Sequence, residues 1–325
     1  MPSHTCPITP RSMLVDDANV IATRTDSPQR NDGPGRIRGA RRGAWAAIGS
    51  LITVAALGLS GCATAPGAGA SAATTLSAER IAELLASPDR SAADRINDER
   101  RKPAQMLAFI GVRPGMVAVD MFAGGGYTSE LLARAVGPTG RVYGQSAPRV
   151  DRPPPAQPEG AAAPVSAAAT ALPRPAFRPA PVALAERAKN AGLGHLHSVV
   201  QPFENPVPAE LASNALDLVT LMFNYHDTGH MGVDRAAMNR AVFAALKPGG
   251  VYVIADHAGR AGTGITEAGT LHRVEQAFLQ REVEAAGFVL LAEGHFMRNP
   301  NDPRDRDTPV PAQPKDEFVL KFIKR

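Results

Sequence analysis

An α/β fold, with a largely parallel sheet covered by helices on both faces, is what this 325-residue sequence predicts. Three observations carry the expectation. The segment 115–145, GMVAVDMFAGGGYTSELLARAVGPTGRVYGQ, reads as strand, glycine turn, helix and second strand. Two later apolar runs, DLVTLMF from Asp217 and VYVIADH from Val251, have the length of strands buried on both faces, and each ends in polar residues. Helical patterns at 128–135, 182–190, 233–246 and 270–286 alternate with these runs, as repeated strand–helix units require.

The first strand, 116–119, ends in Asp120, and the chain then passes through Gly124, Gly125 and Gly126. Glycines let a backbone pass close beneath a ligand, and the free N–H groups of the following helix point at any carboxylate or phosphate it carries. The dinucleotide fingerprint G-x-G-x-x-G is incomplete, because Gly124 and Gly126 are followed by Ser129 where a third glycine would stand. The turn instead resembles motif I of the class I S-adenosylmethionine methyltransferases, roughly D-x-G-x-G-x-G, with Phe122 in place of the first glycine.

That resemblance implies S-adenosylmethionine as cofactor, contacted by Asp120, Ala123, Gly124 and Gly126. After the second strand, 141–144, the family carries an acidic residue for the ribose hydroxyls. Here stands Gln145, which can hydrogen-bond a hydroxyl but lacks the charge that strengthens such bonds. The resemblance covers about residues 77–325. It implies a Rossmann-like class I methyltransferase fold: a mixed seven-stranded sheet with an antiparallel last strand and helices on both faces.

Taken in order, Ser77 is an N-cap for a first helix, and a second spans part of 92–110. Its charged half reads as a solvated face, with Asp98, Arg101 and Lys102 as an alternative roof over the cofactor. Residues 146–180, rich in Pro and Ala, form an insertion without periodicity. Gln201, Phe203 and Glu204 follow a strand near 197–200, where the family places adenine contacts; each alone reads as an ordinary loop residue. The turn Lys247-Pro248-Gly249-Gly250 precedes the fifth strand, and 270–286 carries Leu271-His272-Arg273 in its first helical turn. Segments 288–294 and 317–323 supply the closing antiparallel strands.

Asn224-Tyr225-His226-Asp227 and Asp256-His257 sit at the carboxyl ends of their strands, where open α/β sheets bind ligands. The resemblance is to predicted bacterial methyltransferases that carry such YHD, DH and LHR segments, many with export signals. Methyl transfer needs an acceptor held in line and deprotonated, and a histidine of near-neutral pKa suits the second task. His226, Asp227 and His257 are therefore the catalytic candidates, with Asn224, Tyr225, Asp256 and His272 as substrate contacts. The bland alternative for each histidine is a structural hydrogen bond. No metal is assigned, because the spacing is not a ligand signature such as H-E-x-x-H, although two Asp and three His could hold a transition metal. Carboxylates after the fourth and fifth strands also resemble the Mg²⁺ site of catechol-type methyltransferases.

The front of the chain reads differently. Arg36, Arg38, Arg41 and Arg42 precede an uncharged run, 43–61, and Leu59-Ser60-Gly61-Cys62 resembles a bacterial lipobox. Residues 1–61 are then leader and signal peptide, Cys62 the lipidated N-terminus, and 62–76 a flexible tether to a domain at 77–325. About forty residues before the apolar run is long for a leader, so a later natural start is expected. Ala63 resembles the outer-membrane sorting pattern, so the expected location is the periplasmic side of the envelope. Cys6 leaves with the leader, and no thiol remains for catalysis or zinc. The leader holds 7 of 35 basic and 4 of 31 acidic residues, leaving 28 against 27, or +1, which argues against a nucleic-acid partner. The function expected is methylation of a small-molecule acceptor at O or N. The alternative is a non-catalytic ligand-binding lipoprotein, with Phe122 and Gln145 as signs of a lost reaction.

Overall fold

The computed structural model describes residues 74–148, 179–190, 192–309 and 311–325. The leader, Cys62, the tether as far as residue 73 and the part 149–178 of the Pro/Ala insertion lie outside the described residues. Among the described residues no helix is long and apolar enough to cross a membrane.

Strands β1 (Val117–Met121), β2 (Arg141–Ser146), β3 (Leu196–Val200), β4 (Leu216–Met222), β5 (Leu246–His257), β6 (Val289–Gly294) and β7 (Glu317–Ile323) form one sheet. Their order is β3-β2-β1-β4-β5-β7-β6. Strands β1 to β5 pair in parallel, whereas β7 runs antiparallel to both β5 and β6. The sheet is thus the Rossmann-like, mixed seven-stranded arrangement expected, with its last strand reversed.

Each buried strand faces two cores, so apolar residues fill both of its faces, with Asp120 in β1 and Thr220 in β4 as buried polar exceptions. In β1, Ala118 packs with the helices α1 (Ala78–Ala86), α3 (Pro103–Ile110) and α4 (Tyr127–Val136), which contribute Leu84, Leu107 and Leu132. Val119, one residue on, points the other way. It joins Val242 and Val283 of α7 (Arg235–Ala245) and α9 (Gln276–Ala285). The same alternation runs through Leu218 and Val219 in β4 and through Val253 and Ile254 in β5. Each of these valine, leucine and isoleucine side chains, fully buried, contributes about 1.5–3 kcal/mol.

Local chemistry sets the element ends. Ser77 caps α1 by accepting from Arg80 N at 3.2 Å, as expected. The helix expected within 92–110 is two: α2 (Ala92–Arg101) and α3 part at Lys102, which has φ 45°. Pro103 causes the break, because a proline ring crowds the helical conformation of the residue before it. The stretch expected as one helix from 270 also divides. His272, at φ 51°, ends a short helix α8 (Ala268–Leu271), and Val274 bridges to Ala258 before α9 begins. Strand β2 runs two residues further than expected, through Gln145 and Ser146, and α5 spans Ala180–Arg187.

β1 has β2 on one side and β4 on the other, so the connections leaving β1 and β4 diverge. The crevice at their carboxyl ends is the switch point where such sheets take ligands.

Candidate active site at the sheet switch point

Asp120, at the end of β1, is almost fully buried. Its carboxylate accepts from Ser129 Oγ at 2.6 Å and Thr220 Oγ1 at 2.7 Å. Burial pushes its pKa up to about 6, against those hydrogen bonds, which favour the charged form. A raised folded-state pKa means the native protein holds this proton more tightly than the unfolded chain. Its contribution to stability is fully present below about pH 4 and is lost as pH rises to 6, by about 3 kcal/mol. Asp120→Asn is therefore expected to gain roughly 1–3 kcal/mol over wild type at pH 7 and little at pH 4, read by urea unfolding at both pH values. An equal effect at both would contradict the ionised, desolvated carboxylate.

The turn after Asp120 is built from positive-φ residues: Phe122 at 52°, Gly124 at 54° and Gly126 at 85°. This explains why a glycine is usual at position 122, since a bulky residue is strained in that region. The Phe122 ring is held by a parallel stack on Phe203, with centres 3.6 Å apart. Arg187 of α5 clamps the turn, donating to Gly125 O at 2.8 Å and pairing with Asp94 and Glu130.

Two cavities flank this turn. One, of about 260 Å³, is walled by Asp94, Asn97 and Arg101 of α2 together with Asp120, Ala123 and Gly124. The other, of about 620 Å³, is lined by Ser146, Val200 and Phe203. Phe122, Gly124 and Asn224 border both. In the smaller cavity, the Arg101 guanidinium lies 4.4 Å from the centre of the Phe223 ring. Among the described residues no carboxylate is within ion-pair distance of it. Burial and the neighbouring Arg100 lower its pKa to about 10, which leaves it charged at neutrality. In the larger cavity, the buried Ser146 hydroxyl has no hydrogen-bond partner among the described residues.

Gln145, expected at the ribose, is corrected by the structure. Its fully buried side chain accepts from Phe122 N at 3.2 Å and donates to Gln201 O at 2.7 Å, bolting the turn to the loop after β3. Neighbours on a strand point to opposite faces, so it is Ser146 that lines the cavity. Tyr225 is corrected likewise: fully buried, it donates to Glu282 Oε2 at 2.9 Å and accepts from Asn239. Asp98 and Lys102 do not join Arg101. Asp98 binds Arg90 and the Tyr127 hydroxyl, while Lys102 Nζ donates to Phe296 O.

The polar strand ends converge. Buried His226 places Nδ1 2.7 Å from Asp256 Oδ1 and Nε2 3.3 Å from Asp227 Oδ1. Burial disfavours the charged ring, but Asp227 and Asp256 outweigh it and raise the pKa to about 9. Asp227 is held down to about 2 against its own burial by His226 and by Asn224, whose Nδ2 donates to Oδ2 at 2.8 Å. His272 Nδ1 approaches Asp227 Oδ1 at 3.8 Å. His257 stands apart, its ring centre 5.5 Å from that of His226. Its Nδ1 lies 2.9 Å from Glu317 Oε1, at ion-pair distance although off axis for a hydrogen bond. It lines a third cavity of about 940 Å³ with Arg100, Lys102 and Glu317.

Sequence reading missed Ser146, Arg187 and Glu317. Ser146 sits beside a position that was singled out, and the misplaced end of β2 hid it. Arg187 and Glu317 carried no local signal, because their partners lie far away in the chain.

No protein-family model and no curated protein matches the chain. Among solved structures, an S-adenosylmethionine-dependent methyltransferase from Aquifex aeolicus is 17% identical with a TM-score of 0.47, covering 77% of this chain and 100% of its own. A putative sarcosine dimethylglycine methyltransferase from Galdieria sulphuraria is 16% identical with a TM-score of 0.47, over 76% and 98%. An arsenic(III) S-adenosylmethionine methyltransferase from Chlamydomonas reinhardtii is 16% identical with a TM-score of 0.43, over 76% and 73%.

Proposed function

We propose that the chain is an S-adenosylmethionine-dependent methyltransferase that acts on a small-molecule acceptor at oxygen or nitrogen. The observation that carries this reading is the pair of cavities that share Phe122, Gly124 and Asn224 across the glycine turn, with a guanidinium in one and a hydroxyl in the other that have no partner among the described residues. The residues fit such a cofactor. Arg101 complements an amino-acid carboxylate, Ser146 a ribose hydroxyl, and the Phe122–Phe203 face a flat base. Bound there, the cofactor would supply an electrophilic methyl group.

The chain's own residues then hold the acceptor and receive its proton. His226 is a poor base, since both its ring nitrogens face carboxylates. That task passes to His257, oriented by Glu317 at Nδ1 and making no hydrogen bond at Nε2 among the described residues. Asn224 borders both cavities and donates to Asp227 Oδ2, which ties the cavity wall to the histidine cluster. Asp120 shapes the turn and sets its charge without offering a free oxygen.

We further propose export and anchoring through a lipid on Cys62, supported by the basic segment, the apolar run and the LSGC tetrad. Labelled palmitate incorporation that disappears in Cys62→Ser tests this. For the cofactor, calorimetric titration of S-adenosylmethionine and S-adenosylhomocysteine into protein beginning at residue 74 is decisive, with Arg101→Met as control. Micromolar binding lost in the control supports the reading, and an acceptor screen with labelled cofactor follows. No binding would transfer the proposal to a ligand-binding lipoprotein.

A further inference from the structure

We infer that His226, Asp227 and His272 form a binding site for a divalent first-row transition metal, beside the cofactor cavities rather than within them. One oxygen organises the cluster. Asp227 Oδ1 lies 3.3 Å from His226 Nε2, 3.8 Å from His272 Nδ1 and 4.0 Å from His230 Nε2. The donor atoms of His226, Asp227 and His272 all fall within 4.8 Å of one another.

These distances suit a shared ion better than direct hydrogen bonds. An N–H···O bond is commonly about 2.9–3.0 Å, shorter than any of the three. Two donors each about 2.0–2.1 Å from a tetrahedral ion stand about 3.3–3.4 Å apart, as His226 Nε2 and Asp227 Oδ1 do. The exposed His272 ring can close its longer gap by side-chain rotation.

Each donor is also held from behind. His226 Nδ1 is engaged by Asp256, the carboxylate–imidazole support that orients metal-binding histidines, and this turns Nε2 toward Asp227 Oδ1, where an ion would displace its proton. Asp227 spends Oδ2 on Asn224 Nδ2 and leaves Oδ1 turned to the imidazoles. His272 sits at a positive-φ residue, and the next residue, Arg273, is locked by its buried pair with Asp302. Two imidazoles and one carboxylate favour zinc or iron over magnesium, which prefers an all-oxygen shell. Three protein donors with His272 exposed leave further positions open, as in catalytic rather than structural sites.

The inference does not rest on the methyltransferase reading, and its test contains no cofactor. Full-length protein stripped with chelator is titrated with Zn²⁺ in a calorimeter, and separately with Mg²⁺. One equivalent of Zn²⁺ is expected to bind at micromolar affinity or tighter, with no matching Mg²⁺ signal. His272→Asn keeps a residue that tolerates positive φ, and Asp227→Asn keeps the shape of the carboxylate. Each is expected to weaken Zn²⁺ binding at least about tenfold. Co²⁺ supplies a second readout: the wild type should show the intense visible bands of a four- or five-coordinate site, and both variants should lose them. Failure to take up stoichiometric Zn²⁺ would overturn the assignment. So would equally tight Zn²⁺ binding in both variants, or a Co²⁺ spectrum of the weak octahedral type.

Discussion

Arg101→Met is expected to weaken S-adenosylmethionine binding about 30- to 150-fold, the loss of a charge-assisted contact of about 2–3 kcal/mol. Folding stability should meanwhile hold or rise. The guanidinium is largely removed from water, and no carboxylate among the described residues pairs with it directly; Glu317 and Asp120 attract it from a distance, but burial outweighs them. Methionine keeps the contact with the Phe223 ring and carries no charge. Calorimetric titration and urea unfolding of the same variant separate the two effects. Unchanged affinity would remove Arg101 from the cofactor site, and a loss of stability equal to the loss of binding would make its role structural.

Asp302→Asn is expected to destabilise the fold by about 3–5 kcal/mol, the range for breaking a buried ion pair from one side. Asp302 Oδ2 accepts from Arg273 Nη1 at 2.8 Å and from Asp316 N at 2.7 Å, and Oδ1 accepts from Arg304 N at 3.0 Å. An amide presents two donors of its own to that ring of donors, and it leaves the fully buried Arg273 without a counter-charge. Urea unfolding measures the loss. Adding Arg273→Met should recover part of it, because the uncompensated charge then disappears. Acid acts in the same direction. Burial opposes ionisation of Asp302, but hydrogen bonds from Asp316, Arg304 and Arg273 outweigh it and hold its pKa below the usual carboxylate value. That stabilisation is present above about pH 4 and fades as pH falls through the lowered pKa.

This clamp shows what a linear reading cannot reach. The largely apolar runs of β4 and β5 determined a sheet buried on both faces, and the Asp120-to-Gly126 segment determined a glycine-rich turn at the end of β1. Those signals are local, written in side-chain period and in backbone conformations that few residues adopt. Element ends were less legible. Pro103 predicts a break, but the extra two residues of β2 came from pairing with β3, where Gln145 and Ser146 meet Val199 and Val200. That pairing decided that Ser146, and not Gln145, lines the cavity.

The histidines divide in the same way. Their place at the strand ends could be read from the chain, but the roles of their ring nitrogens could not. Asp256 is 30 residues from His226, and Glu317 reaches His257 only because β7 inserts antiparallel beside β5. The sequence by itself determined the sheet, the turn and the polar edge. Tertiary structure decided which atom faces which partner, because proton and metal chemistry depend on separations of a few ångströms between residues that only long-range strand pairing brings together.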